Sequence, residues 1–151
     1  MIRGGCACGR IQYTSTAIPD DMSNCHCQTC RKLGGGPFLT FASVPTMSIH
    51  WLNNPPDLWK RSNTAERGFC SKCGSTLSMQ YYCQMDRFSL TASSIEESKL
   101  PLRRASEHIF VKEKAALFDV PDDGAERFQG MPPELEAMMD KWLKDRWSAA
   151  T

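Results

Sequence analysis

The sequence lacks a long hydrophobic run, a strong excess of charge and a recognisable secretory leader. No uninterrupted apolar stretch approaches the roughly 18 residues that a membrane-spanning helix needs. Lys and Arg number 18 against 17 for Asp and Glu, and a net charge of +1 argues against a nucleic-acid partner. Arg3 and the two glycines after it do not form the apolar core of a signal peptide. We therefore expect a cytoplasmic protein without a membrane partner.

Cysteine, in contrast, is abundant. The chain has 151 residues, of which eight are cysteines and 41% are hydrophobic, and this length suits one domain with its own core. In a reducing compartment cysteines bind metal ions in preference to forming disulfides. The composition thus predicts a soluble metal-binding domain.

The segment from residue 25 to residue 32, CHCQTCRK, places Cys25, Cys27 and Cys30 within six residues. A tight turn can direct three such thiolates at one Zn²⁺ ion, with each sulfur about 2.3 Å from the metal. Three ligands leave one tetrahedral position open, which is typical of catalytic zinc. The alternative is a closed structural site whose fourth ligand is His26 or the distant Cys83. The local sequence leaves both interpretations open.

Three neighbours of these thiols are further candidates. Arg31 and Lys32 follow the last cysteine and would offset the negative charge of three thiolates, so they are candidates to bind an anionic substrate. His26 could transfer a proton during a reaction. It could equally be a spacer between two metal ligands, and the sequence does not decide between these roles.

Two further cysteine pairs are flanked by glycine. Cys6 and Cys8 lie in GGCACG, and Cys70 and Cys73 lie in FCSKCG. Each pair offers two sulfurs, and together they complete a closed tetrahedral site of the structural kind. The simplest assignment is therefore up to two Zn²⁺ ions per chain, with Cys83 left over as a small buried residue.

Hydrophobic and polar residues alternate in several short segments, as in strands with one buried face. These segments include residues 9–16, 38–44 and 87–92. A hairpin is predicted around the Cys70 pair. Residues 94–97, with the sequence SIEE, have the form of a capping box and predict one helical turn. The chain as a whole reads as mainly β.

A C-terminal helix is predicted after Pro132 and Pro133. Apolar side chains recur at helical spacing and form one stripe, which consists of Leu135, Met138, Met139, Trp142 and Leu143. Acidic residues in the first turn and basic residues in the last turn match the helix dipole. We expect residues 1–130 to form the zinc-binding domain and residues 131–151 a helix that packs on it. The alternative is that the stripe forms a homodimer.

Five motifs together are far more specific than any one of them. They are Gly5-Cys6-x-Cys8-Gly9 with Ile11 and Tyr13, Cys25-His26-Cys27-x-x-Cys30-Arg31-Lys32, Pro37-Phe38, Arg67-x-Phe69-Cys70-x-x-Cys73-Gly74-Ser75-x-Leu77, and His108-Ile109-Phe110. In these motifs the chain resembles the glutathione-dependent formaldehyde-activating enzyme family, which also includes centromere protein V. The resemblance implies a tent of short antiparallel β-sheets pinned by zinc. It also implies a structural zinc on the two cysteine pairs and a catalytic zinc on the triplet.

The resemblance implies a carbon–sulfur lyase that acts on a thiol adduct. Its partners would be a small-molecule thiol such as glutathione and a small aldehyde such as formaldehyde, which form S-(hydroxymethyl)glutathione. Cys25, Cys27, Cys30 and His26 are then the catalytic candidates, and Arg31 and Lys32 the substrate-binding ones. The alternative, which the likeness to centromere protein V allows, is a zinc-stabilised protein-binding module without catalysis.

Overall fold

Short strands dominate the computed structural model, which describes residues 1–149. Within these residues, twelve strands form two sheets. The strands are β1 Ile2–Gly5, β2 Gln12–Ser15, β3 Asp21–Cys25, β4 Leu39–Pro45, β5 Ile49–Trp51, β6 Asp57–Trp59, β7 Ala65–Phe69, β8 Thr76–Tyr81, β9 Arg87–Thr91, β10 Ile95–Ser98, β11 Glu107–Ile109 and β12 Glu126–Arg127. The predicted mainly β fold is confirmed, as is the hairpin around the Cys70 pair, which is β7 and β8.

The two sheets differ in size. The smaller has the strand order β10-β1-β2-β5, and the larger has the order β12-β11-β3-β4-β9-β8-β7-β6. Their strands pair antiparallel, except that β11 lies parallel to both β3 and β12. The parallel pairing brings the late strand β11 beside β3, which ends at Cys25. Residues distant in sequence therefore meet at the cysteine triplet.

The core lies between the two sheets. Ile2 and Tyr13 from the smaller sheet pack against Val44 and Leu90 from the larger one, and all four side chains are buried. The Tyr13 hydroxyl is satisfied in this core by a 2.8 Å hydrogen bond with the hydroxyl of Ser94. Burial of these side chains is the main favourable term that holds the sheets together.

The helical turn predicted at residues 94–97 is wrong, because Ile95–Ser98 forms β10 and pairs with β1. A 3₁₀ turn at Ala92–Ser94 precedes this strand. The Ser94 hydroxyl does not cap a helix, since it bonds to Tyr13 and donates to the carbonyl of Thr91 at 2.8 Å. Pairing with β1 thus overrides the local capping signal.

Two α-helices occur in the described part of the chain, α1 at Gln28–Gly34 and α2 at Pro133–Ala149. Along α2, Met139 is buried and Trp142 packs against Tyr82 with ring centroids 6.1 Å apart. Met138 and Leu143 remain exposed, so only part of the predicted stripe is covered. Residues 150 and 151, the last of the predicted C-terminal segment, lie outside the described residues. Among residues 1–149, no helix is long and apolar enough to cross a membrane.

Strand β8 contacts both groups of cysteines. Leu77 packs against Cys6 and Cys70, whereas Met79, two residues further along the strand, packs against the triplet. The pairing with β7 is irregular at Leu77, because Thr76 lies opposite Phe69 and Ser78 lies opposite Gly68. A single strand therefore connects the two groups.

Candidate metal centres

The four-cysteine cluster joins two loops that are far apart in sequence. The sulfurs of Cys6, Cys8, Cys70 and Cys73 all lie within 4.8 Å of one another. The Cys6 and Cys8 sulfurs are 3.6 Å apart, and those of Cys8 and Cys70 are 3.8 Å apart. Zn–S bonds of about 2.3 Å give a tetrahedron with S–S edges of about 3.8 Å. The cluster therefore fits one zinc ion, and it contains the four cysteines that the sequence predicts.

The two halves of this cluster are built alike. The N–H of Gly9 donates to the carbonyl of Cys6 at 2.9 Å, and the N–H of Gly74 donates to that of Cys70 at 2.8 Å. Both glycines have positive φ angles, 73° and 78°, which other residues adopt at a cost. Each glycine thus lets its loop turn tightly enough to present two sulfurs on one side.

Hydrogen-bond donors and a cation surround this cluster. The Nε of Arg10 donates to the sulfur of Cys70 at 3.5 Å and lowers its pKa, while the same guanidinium forms an ion pair with Asp57. A hydrogen bond with Ser75 lowers the pKa of Cys73 to about 5. These contacts favour thiolates, which are the form that binds a metal.

The cysteine triplet is formed by one continuous segment. Cys25 ends β3, Cys27 is the N-cap of α1, and Cys30 lies within that helix. The Cys27 sulfur accepts the N–H of Cys30 at 3.4 Å, which satisfies a free donor of the first helical turn. The three sulfurs lie within 4.8 Å of one another, and Cys25 and Cys30 are buried. Three sulfurs this close together suit a thiophilic metal.

Within residues 1–149, no fourth Cys, His, Asp or Glu ligand joins the triplet. His26 is directed elsewhere, because its Nε2 forms a 2.8 Å hydrogen bond with Nδ1 of His108. Cys83 is half-buried and belongs to neither cysteine group. The protein thus presents three sulfurs and no closing side chain at this position.

A buried chain of polar groups runs behind the triplet. His26 and His108 are fully buried, and the Nε2 of His108 lies 3.2 Å from a carboxylate oxygen of Asp123. Burial lowers the pKa of His26, and the nearby His108 acts in the same direction. A carboxylate that accepts from one ring nitrogen fixes the tautomer of the imidazole. Asp123 therefore orients His108, and His108 in turn orients His26, which lies between Cys25 and Cys27 in the sequence.

The cations that follow the triplet have different surroundings. The Nε of Arg31 donates to the carbonyl of His26 at 3.2 Å, whereas Lys32 is exposed. Both residues line a cavity of about 410 Å³. Its other lining residues are Gly35, Gly36, Pro37, Ala115 and Leu117. Arg31 thus braces the turn that carries the cysteines. The role of Arg31 and Lys32 in substrate binding stays a prediction.

Tyr81 and Arg67 lie beside the triplet. The sequence indicated no role for either side chain. Tyr81 packs against the triplet, and burial raises the pKa of its phenol, as does the negative charge of Cys25 and Cys30. The positive charge of Arg67 acts in the opposite direction. Arg67 begins the Arg-x-Phe-Cys motif, but its distance in sequence from the triplet gave no sign of this proximity.

A comparison with known protein families identifies the family of this chain. Residues 1–113 match the family described as glutathione-dependent formaldehyde-activating enzyme, and the chain belongs to this family. The match ends at the 3₁₀ turn Val111–Glu113, after β11. The matched region therefore includes all eight cysteines and the buried residues His26 and His108. It includes neither Asp123 nor α2.

Two curated relatives have related names. A Schizosaccharomyces pombe protein named as an uncharacterized lyase is 35% identical over 78 residues, which are 52% of this chain and 56% of the relative. The alignment thus spans little more than half of that relative. A Halomonas elongata protein, whose name assigns it as a glutathione-dependent formaldehyde-activating enzyme, is 26% identical over 143 residues, which are 89% of this chain and 90% of the relative.

One solved structure shares the fold. The crystal structure of a Rhodobacter sphaeroides protein matches with a TM-score of 0.54 and 20% sequence identity. The match covers 65% of this chain and 91% of that one. At this identity the likeness shows the fold alone.

Proposed function

We propose that this protein is a zinc-dependent carbon–sulfur lyase that joins a small aldehyde to a thiol at the triplet of Cys25, Cys27 and Cys30. The observation that carries the proposal is the absence, within residues 1–149, of a fourth side-chain ligand beside these sulfurs. A metal site with three protein ligands leaves a position for substrate, whereas a structural site is closed. Glutathione and formaldehyde are the substrates that the family name and the Halomonas relative suggest.

The proposed reaction needs little from the protein besides activation and positioning of a thiol. A zinc ion held by the triplet would lower the pKa of a substrate thiol and hold it as thiolate. The new bond joins this sulfur to the aldehyde carbon, the C=O double bond becomes a single bond, and the oxygen takes up a proton to form the hydroxymethyl adduct. Tyr81 packs against the cluster that contains the triplet, and its phenol O–H is a candidate to donate a hydrogen bond to the aldehyde oxygen.

The four-cysteine cluster has a structural role in this proposal. Its sulfurs complete a tetrahedron, and it links the β1–β2 loop to the β7–β8 loop. A metal ion that ties such distant segments together contributes directly to folding. Residues 1–130 contain all the candidate ligands, so we assign them as the functional unit, with residues 131–151 as an accessory segment. The eight free cysteines suit the cytoplasm, which is reducing.

Titration calorimetry on the zinc-loaded protein tests the proposal, with glutathione compared to S-methylglutathione. We expect glutathione to bind at least about tenfold more tightly, because its S-methyl form cannot become a thiolate. Its affinity should fall as the pH is lowered, since a proton leaves the thiol on binding. The Cys27→Ser variant should lose this preference. Equal binding of the two compounds would contradict the proposal and favour a protein-binding module.

A further inference from the structure

Arg67 belongs to the face of the larger sheet that covers the triplet. It lies on β7 directly opposite Met79 of β8 in the antiparallel register. Residues directly opposite each other on paired strands project from the same face. Met79 is 4% exposed and packs in one cluster with Cys25 and Cys30. The guanidinium of Arg67 is therefore the cation that the sheet brings to this cluster.

The guanidinium has no carboxylate partner within residues 1–149. Its Nε is buried and forms no hydrogen bond there. The side chain as a whole is half-buried, so its charge is partly desolvated, and a nearby negative charge would compensate this cost. Arg10 at the four-cysteine cluster differs, because it divides its donors between Cys70 and Asp57. Arg67 keeps its charge available to the triplet.

A half-open cavity of about 170 Å³ lies beside Arg67. Its walls are mainly apolar and include Leu33, Trp59 and Phe69. Leu33 also packs against the cluster that contains Cys25 and Cys30. Leu33 thus contacts both this cavity and the cluster of the triplet.

We propose that Arg67 is the counter-charge residue of the triplet, and that it sets the affinity of this site for a thiolate. Zn²⁺ with three thiolates carries a net charge of about −1, and a further thiolate brings this to about −2. The thiol proton leaves to solvent, so the excess negative charge remains at the site and needs a nearby cation. The inference rests on the proposed function, because it assumes a thiol substrate.

The proposal gives Arg67 the charge role that the sequence assigned to Arg31 and Lys32. Arg31 donates to the backbone of the cysteine segment, and Lys32 is exposed on the wall of a different cavity. Exposed charges are screened by water and salt, whereas a partly buried one acts with less screening. Arg61, an exposed arginine between β6 and β7, provides a control in which an equal charge is removed from the surface.

The test uses zinc-loaded full-length protein and the variants Arg67→Gln, Arg67→Lys and Arg61→Gln. Two quantities are measured, the affinity for 2-mercaptoethanol and glutathione by calorimetry, and the retention of zinc against a chelator. We expect Arg67→Gln to weaken binding of both thiols and zinc retention at the triplet by about tenfold each. Arg67→Lys should restore most of both, and Arg61→Gln should match the wild type.

A second pair of variants leaves Arg67 in place. Leu33→Glu puts a carboxylate into the cavity beside the guanidinium, and Leu33→Gln is its uncharged control. The carboxylate would neutralise Arg67, so Leu33→Glu should bind both thiols about tenfold more weakly than Leu33→Gln. This comparison remains decisive if Arg67→Gln does not fold.

The outcomes separate this inference from the proposed function. If the wild type binds no thiol but Arg67→Gln still loses zinc, the counter-charge role stands and the lyase proposal fails. If thiols bind the wild type, Arg67→Gln and Arg61→Gln alike, and Leu33→Glu matches Leu33→Gln, Arg67 has no such role. Loss of glutathione binding with unchanged 2-mercaptoethanol binding would also overturn the inference, since Arg67 would then recognise a carboxylate.

Discussion

The two cysteine sites of this protein differ in how the chain builds them. The four-cysteine cluster takes two sulfurs from each of two loops, and Cys8 and Cys70 are 62 positions apart. The triplet takes all three sulfurs from the junction of β3 and α1, and it lies against packed side chains. A site made from distant loops holds the fold together, whereas a site made from one segment can keep a position free for another molecule.

Their electrostatic surroundings differ in the same way. Arg10 at the four-cysteine cluster is neutralised in part by Asp57, and Ser75 and backbone groups supply the remaining donors. The triplet has Arg67 without a carboxylate partner in residues 1–149, and a buried histidine pair behind it. At the four-cysteine cluster, the charge of Arg10 is already paired with Asp57. At the triplet, the charge of Arg67 is available to a bound anionic ligand.

The largest expected contrast is between loss of one cysteine at each site. Cys70→Ser opens the link between two distant loops, and we expect it to lower the Tm by about 10 °C or more, or to prevent folding. Cys27→Ser should lower the Tm by less than about 3 °C, because its segment is also held by α1 and by strand pairing. Thermal unfolding followed by circular dichroism measures both. Equal losses would mean that the triplet is structural too.

A smaller effect is expected from the arginine of the four-cysteine cluster. Arg10→Gln removes the donor to Cys70 and the ion pair with Asp57, and should weaken zinc retention at this cluster by about tenfold. Zinc retention at the triplet should not change. Chelator competition measures both sites, with Lys72→Gln as an exposed control in the same loop. If Lys72→Gln has the same effect, the contact with Cys70 does not matter.

The triplet should respond less strongly to the buried histidine pair. Asp123→Asn weakens the orientation of His108 and, through it, that of His26, so zinc retention at the triplet should fall by about threefold. The neighbouring Asp122→Asn is the control, because Asp122 lies near Arg127 and not near either histidine. A loss in both variants would assign the effect to the loop as a whole.

The smallest expected effect is on the pH dependence of folding stability. It concerns Glu107 on β11, the strand that pairs with β3. Burial raises the pKa of Glu107 on β11 from 4.5 to about 7, and the charges of Asp21 and Glu126 add to this. The folded state then binds more protons than the unfolded state between these values, so Glu107 costs stability as the pH rises from 4.5 through 7. Because the side chain is half-exposed, we expect Glu107→Gln to stabilise the protein at pH 8 by only about 0.5 kcal/mol.

At pH 4 the same variant should have little effect, since Glu107 is then protonated in both states. Urea unfolding at the two pH values measures this, with the exposed Glu136→Gln of α2 as the control. A benefit that is equal at both pH values would show that packing, not ionisation, is the cause. A benefit seen at pH 8 but not at pH 4, and confined to Glu107, would show that ionisation of this half-buried carboxylate lowers stability as the pH rises.

Local patterns predicted the cysteine groups and most of the strands. The spacing of Cys25, Cys27 and Cys30 determines that they lie close together whatever the rest of the chain does. The glycines after Cys8 and Cys73 signalled the tight turns of the other cluster. These features depend on neighbours in sequence, and the sequence was sufficient for them.

Features that depend on strand pairing could not be predicted in this way. Ser94 to Glu97 has a capping-box pattern, yet β1 recruits this segment as a strand. His108 meets His26 because β11 lies parallel to β3, and Arg67 comes close to the triplet through its register with Met79. No local pattern encodes a register between distant strands. The sequence therefore indicated the sulfurs but not the charged groups around them.

The central claim is that the triplet has a free coordination position and the four-cysteine cluster does not. X-ray absorption at the zinc edge, recorded on zinc-loaded protein with and without glutathione, tests this most directly. We predict fewer than four sulfur ligands per zinc on average without the thiol, and a rise to about four when glutathione is added. An average of four before addition, or no change on addition, would contradict the claim.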